Sequence, residues 1–216
     1  MAPRSSSCGV GLRDAWAAGS LVEMELLQGD ALASARALLG ACLRRGNVAV
    51  EITEVEAYLG QDDPASHAWK GPTKRNQVMF GPPGHLYCYT MHGHTCCNVV
   101  CSPEGFASAV LIRAGRVVEG IDEARRRRPG VPDERLARGP GNLTKSLGIT
   151  MADAGVPLFD AGSSVRLEPG RATAAVSSGP RVGVSRAADE PWRFWLTGDP
   201  TVSAYRRSKA AGPARK

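Results

Sequence analysis

Hydrophobic and polar positions alternate between residues 47 and 58: Val48, Val50 and Ile52 have one parity, Ala49, Glu51 and Thr53 the other. A period of two marks a β-strand with one buried face. Carried on to Tyr58, the pattern puts Glu54, Glu56 and Tyr58 on the face of Val48, Val50 and Ile52, with Val55 and Ala57 opposite. A carboxylate that continues an apolar face sits either at the wet end of its strand or partly buried. Upstream, Asp30 can cap a helix whose apolar side is Ala31, Leu32, Ala35, Leu38 and Leu39, ending near Gly40. Further strands are predicted at 85–91, 96–101, 107–114, 164–168, 181–185 and 192–197, and helices near 116–128 and 141–148. Strands outnumber helices and do not alternate regularly with them. That order predicts an α+β fold, a curved and largely antiparallel sheet with surrounding helices.

The chain has 216 residues, enough for one domain with a sizeable core. Residues 1–20 are rich in Ser, Gly and Ala and read as a loose tail. A domain is expected over 21–206, followed by a basic tail at 207–216 with Arg207, Lys209, Arg215 and Lys216. The net charge of +6 favours an acidic partner such as nucleic acid. The predominance of Arg suits phosphate geometry, and it equally suits a GC-rich genome. Met1–Ser20 lacks the apolar core of a signal peptide, and no apolar run is long enough to span a bilayer. A cytoplasmic protein with no membrane partner is therefore expected, with its cysteines as reduced thiols.

Four histidines, His67, His85, His92 and His94, fall within 28 residues, in or beside which lie Cys88, Cys96, Cys97 and Cys101. A zinc site drawn from Cys88, His92, His94, Cys97 and Cys101 would need a better spacing than this, since no Cys-x-x-Cys pair occurs. The cysteines read more simply as small buried hydrophobes, and no metal or cofactor is expected.

Other residues bear on chemistry. Glu56 has Tyr58 beside it on one strand face, and a dry carboxylate close to a water can act as general base. His85, Tyr87, Tyr89 and Met91 share a face of the next strand. Tyrosines there are either hydrogen-bonded core or a slot whose π-faces attract a cationic ring. Arg113 ends the apolar run Val110-Leu111-Ile112, as a snorkelling edge residue or as a partner that keeps Glu56 ionised. The Arg125–Arg128 run, with Arg135 and Arg138, is either a solvated helix end or a phosphate-facing patch. Gly139-Pro140-Gly141-Asn142-Leu143-Thr144-Lys145 opens a helix whose N-terminus could dock a phosphate.

Together these segments are more specific than apart. Glu54-Val55-Glu56-Ala57-Tyr58-Leu59-Gly60 with His67, Thr73-Lys74-Arg75-Asn76, Gly84-His85-Leu86-Tyr87-Cys88-Tyr89, Asn98-Val99-Val100, Val110-Leu111-Ile112-Arg113-Ala114, Gly139-Pro140-Gly141-Asn142-Leu143, Pro180-Arg181-Val182-Gly183-Val184 and Trp192-Arg193-Phe194 occur in order. Over about residues 25–205 the chain resembles the alkyladenine (3-methyladenine) DNA glycosylase family. The resemblance implies a monofunctional enzyme that flips an alkylated purine out of double-stranded DNA and hydrolyses its N-glycosidic bond. It implies Glu56 as general base and Arg113 as the residue that helps place the water. Tyr58, His67 and Tyr89 would contact the flipped base, Tyr87 would support the pocket, and Asn98 would resist the exocyclic amine of guanine. Arg75, Asn76, Gly141 and Lys145 would lie on or beside the DNA, and a β-hairpin would enter the duplex. The family commonly has a Tyr at that wedge; here the position reads His92 in Met91-His92-Gly93-His94, and the chain is one residue shorter between Gly93 and Asn98. A monomer acting on nucleoid DNA is expected. Two other readings are a non-catalytic damage-binding module and a zinc-dependent hydrolase or deaminase.

Overall fold

The structure, a computed structural model, describes residues 27, 29–169 and 175–213. The expected tail at 1–20 lies outside the described residues. One curled antiparallel sheet organises the rest, with strands β1 (Cys42–Arg45), β2 (Val48–Tyr58), β3 (Leu86–Met91), β4 (His94–Val100), β5 (Ala109–Glu119), β6 (Val165–Glu168), β7 (Val176–Gly179) and β8 (Arg193–Leu196). The order is β3-β4-β5-β2-β1-β6, and β8 also pairs with β2 and carries β7. Helices α1 (Ala31–Ala37), α2 (Ile121–Arg127) and α3 (Pro140–Leu147) are short. The α+β class and the curved antiparallel sheet are as the pattern predicts.

β2 departs from strict alternation. Val48, Val50 and Ile52 lie in the main core, and so do Val55 and Ala57. The parity switches because Ile52 pairs with Gly115 and Glu54 with Ala114, which leaves Thr53 as an extra residue. One step later Glu54 pairs with Ala114 and Val55 with Ile112, so Arg113 is the extra residue on β5. Such bulges bend a strand and re-aim its side chains. The expected shared face of Glu54, Glu56 and Tyr58 with Val48, Val50 and Ile52 is therefore corrected: the acids lie on the face opposite the core. The bend also changes the neighbour of β2, from β1 at Val48–Glu51 to β8 at Glu54–Glu56.

Two other expectations change. The helix expected from 116 begins at Ile121, because β5 runs on to Glu119 to pair with Ala49. The strand expected at 181–185 is absent among the described residues; Arg181 and Val182 instead form a loop bonded to other segments, and the strand there is β7. At the C-terminal end, Arg207 is ion-paired with Asp189 at 2.7 Å and is followed by a helical turn at Lys209–Ala211.

A second, smaller cluster covers the other face of β3, β4 and β5: Tyr87, Tyr89, Cys96, Val100, Ala109 and Leu111, with Ala68 and Met79 from the 60–84 loops. Gly60 lets that loop region start so close to the sheet. Its φ is +65°, and a Cβ there would fall 1.5 Å from the Ala107 carbonyl oxygen.

Candidate active site

The sheet register lines up the candidate residues. Arg193, Glu56, Leu111, Asn98 and Tyr87 are successive partners across β8, β2, β5, β4 and β3. Strands lie about 4.8 Å apart, so Asn98 is about 10 Å and Tyr87 about 14 Å along the row from Glu56. Leu111 is the apolar floor between them. Two pairs further along, and so on the same face, Tyr89 lies opposite Cys96. A carboxylate stands at one end of this row and aromatic rings at the other.

Glu56 is fully buried. Its Oε2 accepts the Tyr58 hydroxyl at 3.0 Å, and its Oε1 accepts the Val182 amide at 2.6 Å and pairs with Arg113 Nη1 at 3.3 Å. All the partners are donors, which suits the ionised carboxylate. Arg113 also donates from Nε to Glu54 Oε1 at 3.2 Å. Glu54 is itself fully buried, and accepts Arg193 Nη1 at 3.0 Å, the Ser203 amide at 2.7 Å and the Ser203 hydroxyl at 2.9 Å. Burial pulls the Arg113 guanidinium down, but Glu56 and Glu54 outweigh it and leave the group above its ordinary value. Tyr58 is pushed well up by burial and by the Glu56 charge, so it stays a donor.

At the other end, His67 Nδ1 shares a hydrogen bond with the Tyr87 hydroxyl at 3.0 Å. Its ring meets Tyr89 edge to face, with centroids 4.6 Å apart at 87°. Tyr87 and Tyr89 are 5.9 Å apart and tilted by 31°. Burial raises Tyr87 to about 12, and burial together with Cys96 raises Tyr89 further. Desolvation of the imidazole, and then the Arg75 charge, lower the His67 pKa from its ordinary 6.5. The ring is therefore neutral at physiological pH and does not repel a cation. Arg75 is exposed, reaches the Thr90 carbonyl at 3.4 Å and lies 5.9 Å from the Tyr89 ring centre.

Asn98 is buried and donates from Nδ2 to the Tyr87 carbonyl at 3.1 Å, which fixes its amide in the row. Asn76, expected among the DNA contacts, is only 1% exposed. Its Nδ2 holds the His67 and Gly71 carbonyls at 2.8 and 3.1 Å, and its Oδ1 accepts the Thr73 amide. Its side chain is spent within the protein, and Asn76 shapes the loop that presents His67.

His92 and Gly93 form the two-residue turn between β3 and β4, both at positive φ, 48° and 76°. That conformation is what a tight right-twisting hairpin requires. His92 and the neighbouring Met91 are exposed at its tip. α3 supports the hairpin: Thr144 donates to the Thr95 carbonyl at 2.6 Å, and a Cβ at Gly141 would fall 2.7 Å from His94 Cβ. Gly141 thus packs against the hairpin, while Lys145 is exposed on the same helix.

The Arg125–Arg128 run is largely occupied within the protein. Arg125 pairs with Asp122 and Asp133, Arg126 and Arg127 pair with Glu123, and Arg128 donates to the Arg135 and Leu136 carbonyls. The zinc candidates are dispersed, with Cys88, Cys97 and Cys101 in the main core and His92 and His94 on the exposed hairpin. Among the described residues no group of three His, Cys, Asp or Glu could hold a metal ion. None of their helices is long and apolar enough to cross a membrane.

Sequence reasoning assigned no part to Glu54, Arg193, Arg181, Val182 or Ser203. The signal was present for the first four. Glu54 and Glu56 make an i,i+2 acid pair on one strand, and the other three stand in the late segments Pro180–Val184 and Trp192–Phe194. Nothing in the local sequence around Ser203 points to a buried glutamate.

The sequence profile of the methylpurine-DNA glycosylase family matches residues 25–200. A candidate 3-methyladenine DNA glycosylase of Cutibacterium acnes is 52% identical over 187 residues, covering 83% of this chain and 98% of the relative. A protein of the same designation from Nocardia farcinica is 54% identical over 201 residues, covering 89% of this chain and 95% of its own length. Another, from Mycobacterium tuberculosis, is 54% identical over 193 residues, covering 86% and 94%. With most of its length matched by the profile and by relatives above half identity, the chain belongs to the methylpurine-DNA glycosylase family.

Proposed function

We propose that this DNA glycosylase turns an alkylated purine such as 3-methyladenine out of duplex DNA and hydrolyses its N-glycosidic bond with water. The observation that carries the reading is Glu56, a fully buried carboxylate held by donors at one end of a row that ends in aromatic rings. Glu56 takes a proton from water as the water oxygen bonds to the anomeric carbon. The bond from that carbon to the purine nitrogen breaks, and its electron pair goes to the base. A cationic alkylpurine leaves as a neutral molecule, so it is a far better leaving group than an unmodified purine. Arg113 fixes the Glu56 carboxylate and faces the same water.

The rings read the base. Tyr89 and neutral His67 offer π-faces to a cationic purine, with Tyr58 at the carboxylate end and Tyr87 bracing His67. Asn98, whose amide is fixed against the Tyr87 backbone, would refuse guanine's exocyclic amine. Flipping costs a few kcal/mol of unstacking. The Met91–His92 hairpin tip would fill the gap in the stack. The +6 charge supplies non-specific attraction to phosphates, and Arg75 and Lys145 are exposed on segments next to the hairpin. Water and not an amine would receive the sugar, so no lysine is needed at the site. The enzyme would act as a monomer on nucleoid DNA in the cytoplasm.

The test is incubation with methylated duplex DNA, scored for released base, for alkali-dependent strand breaks and for borohydride trapping. Free 3-methyladenine, breaks only after alkali and no trapped protein–DNA adduct are expected. Intact methylated DNA, or a trapped adduct, would contradict the reading.

A further inference from the structure

We propose that Arg181, anchored by Asp63, is a positioning residue that sets two donors of Glu56 at once, the Tyr58 hydroxyl and the Val182 amide; this rests on Glu56 being the general base. Arg181 is 1% exposed, although it carries a full charge. Asp63, also buried, pairs with it through both carboxylate oxygens, including an Nη2–Oδ1 bond of 2.9 Å. The guanidinium further donates to the Ala57 carbonyl at 3.0 Å. Its central carbon lies 4.5 Å from the Tyr58 ring centre and 4.9 Å from the Trp192 ring centre.

These contacts bind three segments at one point. Ala57 belongs to the end of β2. Asp63 sits in the following turn, where it also accepts the Ala65 amide at 2.9 Å. Arg181 itself belongs to the loop before β8. A flat guanidinium against the Tyr58 ring limits how that ring can tilt, and the hydroxyl on the same ring donates to Glu56 Oε2 at 3.0 Å. Val182 follows directly in the chain, so the anchor that holds Arg181 also places the amide that donates to Glu56 Oε1 at 2.6 Å. Arg113 reaches Glu56 from β5 and is independent of this anchor.

A residue that only neutralised Asp63 could be a lysine. The plane and fork of arginine are needed to hold a ring and a carboxylate together. Arg181→Lys therefore separates positioning from charge. The experiment compares single-turnover base release from methylated duplex, abasic-duplex affinity and thermal unfolding for the parent, Arg181→Lys, Asp63→Asn, Tyr58→Phe, Arg181→Lys/Tyr58→Phe and Glu56→Gln. Arg181→Lys should lower the rate roughly 10- to 100-fold, with abasic affinity unchanged. Adding Tyr58→Phe should produce less than a multiplicative further loss, because the Tyr58 hydroxyl is one of the two donors through which Arg181 acts. Asp63→Asn should show the same split between rate and affinity, and serves if Arg181→Lys does not fold. Parent-like rates in the folded variants, with only the unfolding temperature lowered, would overturn the proposal, as would fully multiplicative losses. If Glu56→Gln releases base like the parent, the reaction assignment fails; if Glu56→Gln is inactive while Arg181→Lys keeps the parent rate, only the role of Arg181 fails.

Discussion

The two ends of the sheet row are built on opposite plans. At the Glu56 end every partner is a charged or hydrogen-bonding group drawn from strands and from the late loops, and nearly all are buried: Glu54, Glu56, Arg113, Arg181 and Arg193 are each at most 8% exposed. At the other end His67, on the 60–84 loop region, meets the Tyr87 and Tyr89 rings edge to face, and His67 is exposed. A buried ionic network tolerates no loss of a partner, whereas His67 stands exposed on a loop, and the slot can lose that ring and keep its shape. The first end therefore combines chemistry with stability. The second carries recognition, and can vary at little cost to the fold.

The sharpest way to break this contrast is Arg113→Ala. It removes one guanidinium from two buried carboxylates, a change that costs about 3–5 kcal/mol of stability. It should lower the unfolding temperature by roughly 10 °C and base release by roughly 100-fold or more. Calorimetry and single-turnover assays would read the two losses together. His67→Ala should dissociate them, because this ring is exposed on a loop. One base-stacking face is worth about 1–3 kcal/mol, so binding of duplex with an extrahelical alkylpurine should weaken by roughly 10- to 100-fold, with the unfolding temperature nearly unchanged. An equal loss of stability in His67→Ala would erase the distinction between the two ends.

A third expected outcome concerns pH. The folded pKa of His67 is lowered from 6.5. The unfolded chain therefore takes up this proton first, and the neutral imidazole's contribution is present in full above 6.5 and is lost as pH falls through the lower folded value. Base release from a cationic lesion should decline over the same window, because a protonated ring repels the cation. Arg75 and the Tyr87 hydroxyl face the imidazole, and the hydroxyl, raised to about 12 by burial, keeps its proton throughout. His67→Phe should remove that acid limb from the rate profile, and an unchanged limb would assign it to another group. The smallest effect is expected at the hairpin tip. His92→Ala should slow flipping by about 1 kcal/mol, the low end of a stacking contact, without altering the choice of base; equal stopped-flow flipping rates would remove His92 from that role.

The ring end was the more legible in the sequence. Strict alternation in β3 places Tyr87 and Tyr89 together, and the structure keeps it, with Leu86 and Cys88 in the main core. The acid end was less so. Its geometry depends on the bulges at Thr53 and Arg113, and an extra residue in a strand leaves no mark on a single sequence. The parity rule thus put Glu56 on the wrong face while naming the right residue. Apart from Tyr58, the partners of Glu54 and Glu56 lie more than 50 residues away, as the pairing of Glu54 with Arg193 and of Glu56 with Val182 shows, and local pattern cannot supply such contacts. The burial of Asn76 was hidden for a related reason: the carbonyls of His67 and Gly71 that its side chain ties together are set by the folded loop.

The most direct measurement is single-turnover base release by Glu56→Gln on methylated duplex, run beside its affinity for abasic duplex. The substitution keeps the shape of the side chain and removes the charge that accepts the proton. Release at least roughly 1,000-fold slower than the parent, with abasic affinity intact and the protein folded, is the predicted result. Release at the parent rate would contradict the claim that this carboxylate activates the water.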